Sequence, residues 1–332
     1  MPPLISIVIN NFNYDKYIGY AIESAINQTY SFVEIIVIDD GSTDNSIELI
    51  KGFNLENSFF KKNGGQVSAI NFGYGKSSGD IVIFLDSDDY LNVNACQMIA
   101  DEYDENIIAY QFYLSVIDSH NVKQGKTLPK SFINGIDFQK FVLDYGYIPS
   151  APMSGVAYSK RYLDTIFPFD ENKWRTAIDG YLIYVAAVYN KIKVIDKELG
   201  YYRIHSDSES EHGFVSLKKT RQMLQVGVMY AEGIHHVENK VLSKPTTTIN
   251  SLLGPYHWKN RIDSFLLDYK NHIFTNDSKF FLTYNCIVRF LYSPQLSFMK
   301  KIKNICLYSF VLILPKPIAA KLVGIFNKYP DL

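Results

Sequence analysis

The chain is 332 residues long, with 47% hydrophobic, 15% aromatic and 20% charged side chains, enough apolar material to bury a full core and to exclude general disorder. Its 33 basic and 34 acidic residues leave a net charge of -1; no global field is available to hold a polyanion, and a nucleic-acid binder is disfavoured. Cys96, Cys286 and Cys306 form no CxxC pair, so neither a cysteine zinc site nor a disulfide framework is indicated and a reducing compartment is expected.

The opening MPPLISIVINNFN has a short apolar run with no basic segment before it, which predicts a strand rather than a signal peptide and a chain that starts in the cytoplasm. Ile5 to Ile9, Ile35 to Ile38 and Ile81 to Leu85 lack polar alternation, as expected of strands covered on both faces in a parallel sheet. Between the first two, Ile18, Ala21, Ile22, Ala25 and Ile26 fall on one stripe of an amphipathic helix. GSTDNSIELI supplies a turn and N-cap candidates for a second helix, and NGGQVSAINFGYGKSSGD leads into the strand at Ile81. This alternation predicts a doubly wound α/β sheet over roughly the first 100 residues, with ligands gathered at the carboxyl ends of the strands.

From Asn106 to Ser210 the pattern is mixed: an aromatic strand in AYQFYLSVID, then helices in IDFQKFVLD and DGYLIYVAAVYN. From Lys218 onward the βα rhythm is lost and helices are expected, broken at Pro245, Pro255, Pro294, Pro315 and Pro317. A catalytic domain over 1–215 and a mainly helical region over 216–332 are therefore predicted.

Asp86, Ser87, Asp88 and Asp89 put three carboxylates directly after an apolar strand. Two readings stand: a loop that holds a hard divalent cation against substrate phosphates, or a solvated acidic turn that starts the next helix. Asp39 and Asp40 end another strand. For Ser42 to Asp44 helix capping suffices, whereas the Asp40 carboxylate is suited to accept from the N–H edge of a flat base.

ISIVINNFNYDKYIGYAIESAINQTY, VEIIVIDDGSTDNS and NGGQVSAINFGYGKSSGDIVIFLDSDDYL, in that order and spacing, resemble the family 2 glycosyltransferases of GT-A fold, inverting enzymes that use nucleotide sugars. The resemblance implies an α/β fold with a mostly parallel sheet. It implies Asn10 and Asp40 at the nucleotide base and Asp39 on the ribose side. Asp86 and Asp88 become the Asp-x-Asp motif, with Asp88 on a Mn²⁺ or Mg²⁺ ion that bridges the diphosphate. Gly64, Gly65, Gln66, Asn71 and Gly73 correspond to the segment lining the donor side, although for Gly64 and Gly65 a turn accounts for the residue type. Members often carry an acidic pair before an apolar helix, the second acid serving as catalytic base. Here that acid is Asp179, with Ile178 in place of the usual Glu, and an N-cap on a helix starting near Tyr181 is its alternative role. Tyr202-Arg203-Ile204-His205-Ser206, with Ser208 after it, resembles a segment that meets the leaving diphosphate, which implies Arg203 beside phosphate and His205 as a further metal contact.

The resemblance favours a UDP-sugar donor and a glycan or lipid-linked acceptor in bacterial surface polysaccharide synthesis. Two alternatives are a catalytically silent binding subunit, because Ile178 interrupts the acidic pair, and a sugar nucleotidyltransferase. The second lacks its glycine-rich basic loop, since NNFNYDKY holds no glycine. Finally, Lys300, Lys301, Lys303, Lys316, Lys321 and Lys328 surround the apolar run Ile305 to Leu314. Ten residues cannot cross a bilayer, which takes about 20. Either this segment lies at an anionic membrane surface, the chain being peripheral at the inner face of the cell membrane, or it is a buried terminal helix.

Overall fold

The computed structural model describes residues 2–133, 135–174, 177–205, 217–294 and 296–328. In chain order the elements are β1 (Ile5–Asn11), α1 (Ile18–Ile26), β2 (Val33–Asp39), α2 (Ser46–Gly52), β3 (Ser58–Phe60), α3 (Gln66–Tyr74), β4 (Ile81–Asp86), β5 (Tyr90–Leu91), α4 (Ala95–Asp101), β6 (Ala109–Ile117) and β7 (Lys123–Leu128). They continue with α5 (Phe138–Tyr145), β8 (Val156–Ser159), α6 (Lys160–Leu163), α7 (Ile178–Val188), β9 (Ile192–Arg203), α8 (Leu217–Val241), α9 (Pro255–Leu267), α10 (Lys279–Tyr292), α11 (Phe298–Ile313) and α12 (Lys316–Lys328).

One sheet runs in the order β3-β2-β1-β4-β8-β6-β9-β5, with β7 added on β6. β3, β2, β1 and β4 are parallel; for β1, β2 and β4 the uninterrupted apolar runs predict this, because both faces of these strands are covered. On one face Ile5, Ile7 and Ile9 join Ile18, Ala21, Ile22 and Ala25 of α1 in the core. On the other, α3 comes so close that a Cβ at Gly73 would lie 2.5 Å from both Val8 and Ile38 side chains; only glycine fits there. β8 is antiparallel to β4 and to β6, while β9 pairs with β6 in parallel and with the two-residue β5 antiparallel. The fold is mixed α/β, as predicted, but β9 was not legible as a strand.

The chain divides into two compact units, one of Met1–Phe138 with Pro149–His205, the other of Gln139–Ile148 with Ser206–Leu332. The boundary expected at 215, with Ser206, Ser208 and His212, lies outside the described residues. The second unit is helical, with Leu224, Trp258, Leu282, Phe290, Tyr308 and Val311 in its core. Of the prolines expected to break helices, Pro255 and Pro317 instead sit in the first turns of α9 and α12, where a missing N–H costs no hydrogen bond. Lys279 Nζ donates to the Leu314 carbonyl at 2.8 Å and Lys301 Nζ to that of Leu291 at 2.9 Å. These two bonds join the start of each helix to the end of the other, so α10 and α11 form an antiparallel hairpin. Among the described residues no helix is long and apolar enough to cross a membrane.

Candidate active site

Parallel pairing in register brings the carboxyl ends of β1, β2 and β4 together, with Asn10 opposite Asp86 and Asn11 opposite Asp39. Side-chain amides then bridge the strands. Asn10 Nδ2 donates to Asp86 Oδ1 at 3.3 Å, and Asn11 Nδ2 donates to Asp39 Oδ2 at 2.8 Å. Asp39 is fully buried and also accepts from the Gly41 and Ser42 amides and the Ser42 hydroxyl. Its carboxylate ties the β2–α2 turn to the end of β1, so in this structure it faces chain atoms rather than open cleft.

Asp40, 2% exposed, meets Lys61 Nζ at 2.6 Å and accepts from the amides of Gly64 and Gly65. Gly65 has φ +91°, a conformation open to glycine that turns its amide toward the carboxylate as α3 begins. These donors occupy both carboxylate oxygens. Asn71 is likewise committed: its Nδ2 donates to the Phe169 carbonyl at 2.9 Å and to Glu171, and its Oδ1 accepts from the Phe169 amide. It fastens α3 to the segment leading toward α7.

Asp86 ends β4 and accepts from Asn10 and from Gln66 Nε2 at 3.2 Å, while its own amide donates to the Ser154 hydroxyl. Burial, then Asp88, push its carboxyl up to about 7; Asp179 adds to the rise, and the Asn10 and Gln66 amides oppose it. Asp179, on α7, thus lies near enough to the end of β4 for its charge to be felt by Asp86. Asp89 is 1% exposed and accepts from the Arg203 amide at 2.9 Å; burial and its two neighbouring aspartates raise it well above the ordinary range.

The pairing of Tyr90 with Tyr201 lays the end of β9 beside this acidic loop. His205 Nε2 lies 3.2 Å from Asp88 Oδ2, with its ring held against Tyr14 and Tyr17. Arg203, expected beside phosphate, is 1% exposed. Its guanidinium donates to the carbonyls of Asp88 and Asp118 and to Asn121 Oδ1 at 2.7 Å, and lies over the rings of Tyr17, Tyr20 and Tyr90. It clamps the loop from behind, with Nη2 lacking a hydrogen-bond partner.

α7 starts at Ile178, with Ala177 as N-cap in a left-handed conformation at φ +63°. A non-glycine residue there is strained backbone, placed two residues before Asp179. Asp179 is thus inside the first turn and not the N-cap, a position where a helix favours an acid. Burial raises its carboxyl above the ordinary range, opposed by the backbone N–H groups of Gly180 and of Asp179 itself. Ile178, where the resemblance implies a Glu, is 1% exposed and stands in a core position.

Asp88 and His205 offer a carboxylate oxygen and an imidazole nitrogen, with Asp86 at the strand end beside them. Among the described residues no three acidic, histidine or cysteine side chains form a cluster that would hold a metal by itself. Such a two-donor set suits Mg²⁺ or Mn²⁺, which keep several positions for water and substrate phosphate.

Sequence reasoning missed Asn11, Lys61, Tyr14, Tyr17 and Ser154. Asn11 was open to detection, since adjacent strand residues point to opposite faces and Asn10-Asn11 puts an amide on each. Lys61 carried no such mark.

The profile of the family "Glycosyl transferase family 2" matches residues 6–167. An uncharacterized glycosyltransferase of Nostoc sp. is 33% identical over 235 residues, covering 68% of this chain and 72% of that protein. Glycosyltransferase GlyG of Streptococcus pneumoniae is 32% identical over 121 residues, covering 34% of this chain and 40% of that one, so the chain spans less than half of some relatives it matches. The crystal structure of S. aureus TarS 1-349 in complex with UDP-GlcNAc superposes with a TM-score of 0.55 at 19% identity, covering 97% of this chain and 88% of that one. The strand-end asparagines and aspartates therefore belong to a known scaffold: the chain is a member of glycosyl transferase family 2, a glycosyltransferase of GT-A fold.

Proposed function

We propose that the enzyme moves a sugar, with inversion, from a nucleoside diphosphate donor to a hydroxyl of a glycan or lipid-linked acceptor, in surface polysaccharide synthesis at the inner face of the cell membrane. The observation that carries this reading is that Asn10 meets Asp86 at the carboxyl ends of β1 and β4, with His205 against Asp88 on the loop that follows and Asp179 near enough for its charge to raise Asp86. Catalysis is assigned to residues 1–215, and contact with a membrane to the helical region 216–332.

Asp179 takes the proton of the acceptor hydroxyl as that oxygen bonds to the anomeric carbon. The bond from that carbon to the diphosphate oxygen breaks on the opposite side, and its electron pair leaves with the nucleoside diphosphate. One displacement inverts the configuration, and no enzyme nucleophile is needed. Burial of Asp179 moves its carboxyl toward neutrality, which improves a general base near neutral pH. Asp88 and His205, with Asp86 beside them, would hold a divalent cation whose positive charge would offset the negative charge of the departing diphosphate. A UDP donor is favoured because a uracil N3–H can donate to a carboxylate such as Asp40, and because TarS, of the same fold, is seen with UDP-GlcNAc. At Asp40 the base would exchange with Lys61, the one side-chain donor among its three partners.

The test is a panel of nucleotide sugars scored for release of nucleoside diphosphate with Mn²⁺, with Mg²⁺ and with chelator. Metal-stimulated hydrolysis of one donor supports the reading. Donor binding without hydrolysis or transfer supports the catalytically silent binding subunit instead.

A further inference from the structure

The apolar run Ile305 to Leu314 is neither wholly buried nor wholly exposed. Tyr308, Val311 and Leu312 face inward, the Tyr308 ring stacking on Phe290 of α10 at 6.4 Å. Met299, Ile302, Cys306, Phe310 and Ile313 follow at the spacing of one helix stripe, and all are exposed, Phe310 by 58% and Ile313 by 79%. On α10, Phe280 is 83% exposed and Tyr284 61%. The antiparallel hairpin brings Phe280 to the same end as Phe310 and Ile313, and Leu291 and Tyr292 to the end that holds Phe298 and Met299. Residues 279–328 meanwhile contain eight lysine and arginine side chains and no aspartate or glutamate.

From this combination we propose that the exposed apolar faces of α10 and α11 are a docking surface for anionic lipid. The inference rests on the reading of a membrane-side enzyme and names the surface that would make the contact. A second copy of the chain would bring two strongly basic faces together. A nucleic acid would engage the lysines and leave the apolar stripe in water. An anionic bilayer surface takes both, its headgroups meeting the lysines and its acyl boundary the stripe. α11 has 16 residues, short of the roughly 20 that a spanning helix takes, so it lies in the plane of the interface.

Removing the tail would uncover Phe290 and obscure the result, so the test uses the full chain with point variants at exposed positions. Wild-type protein is mixed with vesicles of phosphatidylcholine alone or with added phosphatidylglycerol, and sedimentation is measured across salt. Because Cys96 and Cys286 are buried and Cys306 is exposed, a polarity-sensitive thiol dye reports on the stripe itself. The expected result is binding to the anionic vesicles with a blue shift of the dye, weakened by salt and reduced at least about tenfold in a Phe310→Ser/Ile313→Ser variant, as loss of two buried apolar side chains implies. Donor hydrolysis by that variant should equal that of the parent. Binding that survives the double substitution unchanged overturns this docking face even though the chain meets membrane. A wild-type chain that ignores anionic vesicles, or a dimer split by the same substitutions, overturns it as well. Absence of donor hydrolysis in both proteins refutes the enzyme reading and leaves the vesicle result standing.

Discussion

Asp88 makes two separable contacts: its carboxylate faces His205, and its main-chain carbonyl accepts from Arg203 Nε at 2.8 Å. Asp88→Asn keeps the carbonyl and therefore the clamp, so this variant should stay folded while losing metal-supported donor binding. Nucleotide titration with and without chelator, beside a melting curve, checks both halves; unchanged metal-dependent binding would reject the assignment. Asp179→Asn should bind nucleotide as the parent does and lose transfer by about 10²- to 10⁴-fold, the usual worth of general-base assistance. If single-turnover rates are equal to the parent's, the base lies elsewhere, and the exposed Asp170 and Glu171 are the next acids to test. Arg203 is the contrasting case. With three chain acceptors and three tyrosine rings around it, Arg203→Ala strands buried oxygens and should cost about 3 kcal/mol or more of stability, read from denaturant unfolding. Loss of activity in that variant would thus report on folding before chemistry.

At the scale of an element, α9 carries a histidine expected to contribute to the acid limit of the helical unit. His257 is buried among Trp258 and Phe274, and neither ring nitrogen has a hydrogen-bond partner. Burial, then the Arg261 charge, push it down to about 3, with Asp277 opposing. The folded protein therefore resists a proton that the unfolded chain takes up near pH 6.5. Stability from the neutral ring is fully present above that pH and lost as pH falls toward 3. His257→Phe keeps a ring and removes two unpaired polar atoms. Thermal melts from pH 7 down to 4 should show a flatter acid limb for the variant, with stability at pH 7 equal or higher; an unchanged acid limb would mean another group controls it. The elements themselves differed in how clearly the sequence announced them. β1, β2 and β4 are buried on both faces and read as unbroken apolar runs. In β9, Lys193, Asp196, Lys197 and Glu198 interrupt the apolar pattern, and its pairing with β6 shifts register near Phe112 and Tyr113, so no regular alternation announces the strand. β5 has two residues, too few for any period.

Across the whole molecule, what could be read early were residues marked by their local sequence: strand-end acids and the Asp-Ser-Asp loop. What could not be read were partners supplied by tertiary contact. Lys61 reaches Asp40 across 21 positions, and Asn71 reaches Phe169 across 98; no local pattern carries that information. The same separation explains why the resemblance put Arg203 beside phosphate, since only the packing of Tyr17, Tyr20 and Tyr90 reveals how deeply it is covered. The topology also has a consequence for synthesis. The acidic loop is complete when residue 89 has been made, but the strand that clamps it closes at residue 203, after β6 and β8 have taken their places in the sheet. A nascent chain on the ribosome thus carries the whole acidic motif for more than a hundred residues before His205 arrives. Through that interval the three aspartates stand without the contacts of Arg203 and His205, which join residues more than a hundred positions apart, the kind of long-range contact whose closure slows folding.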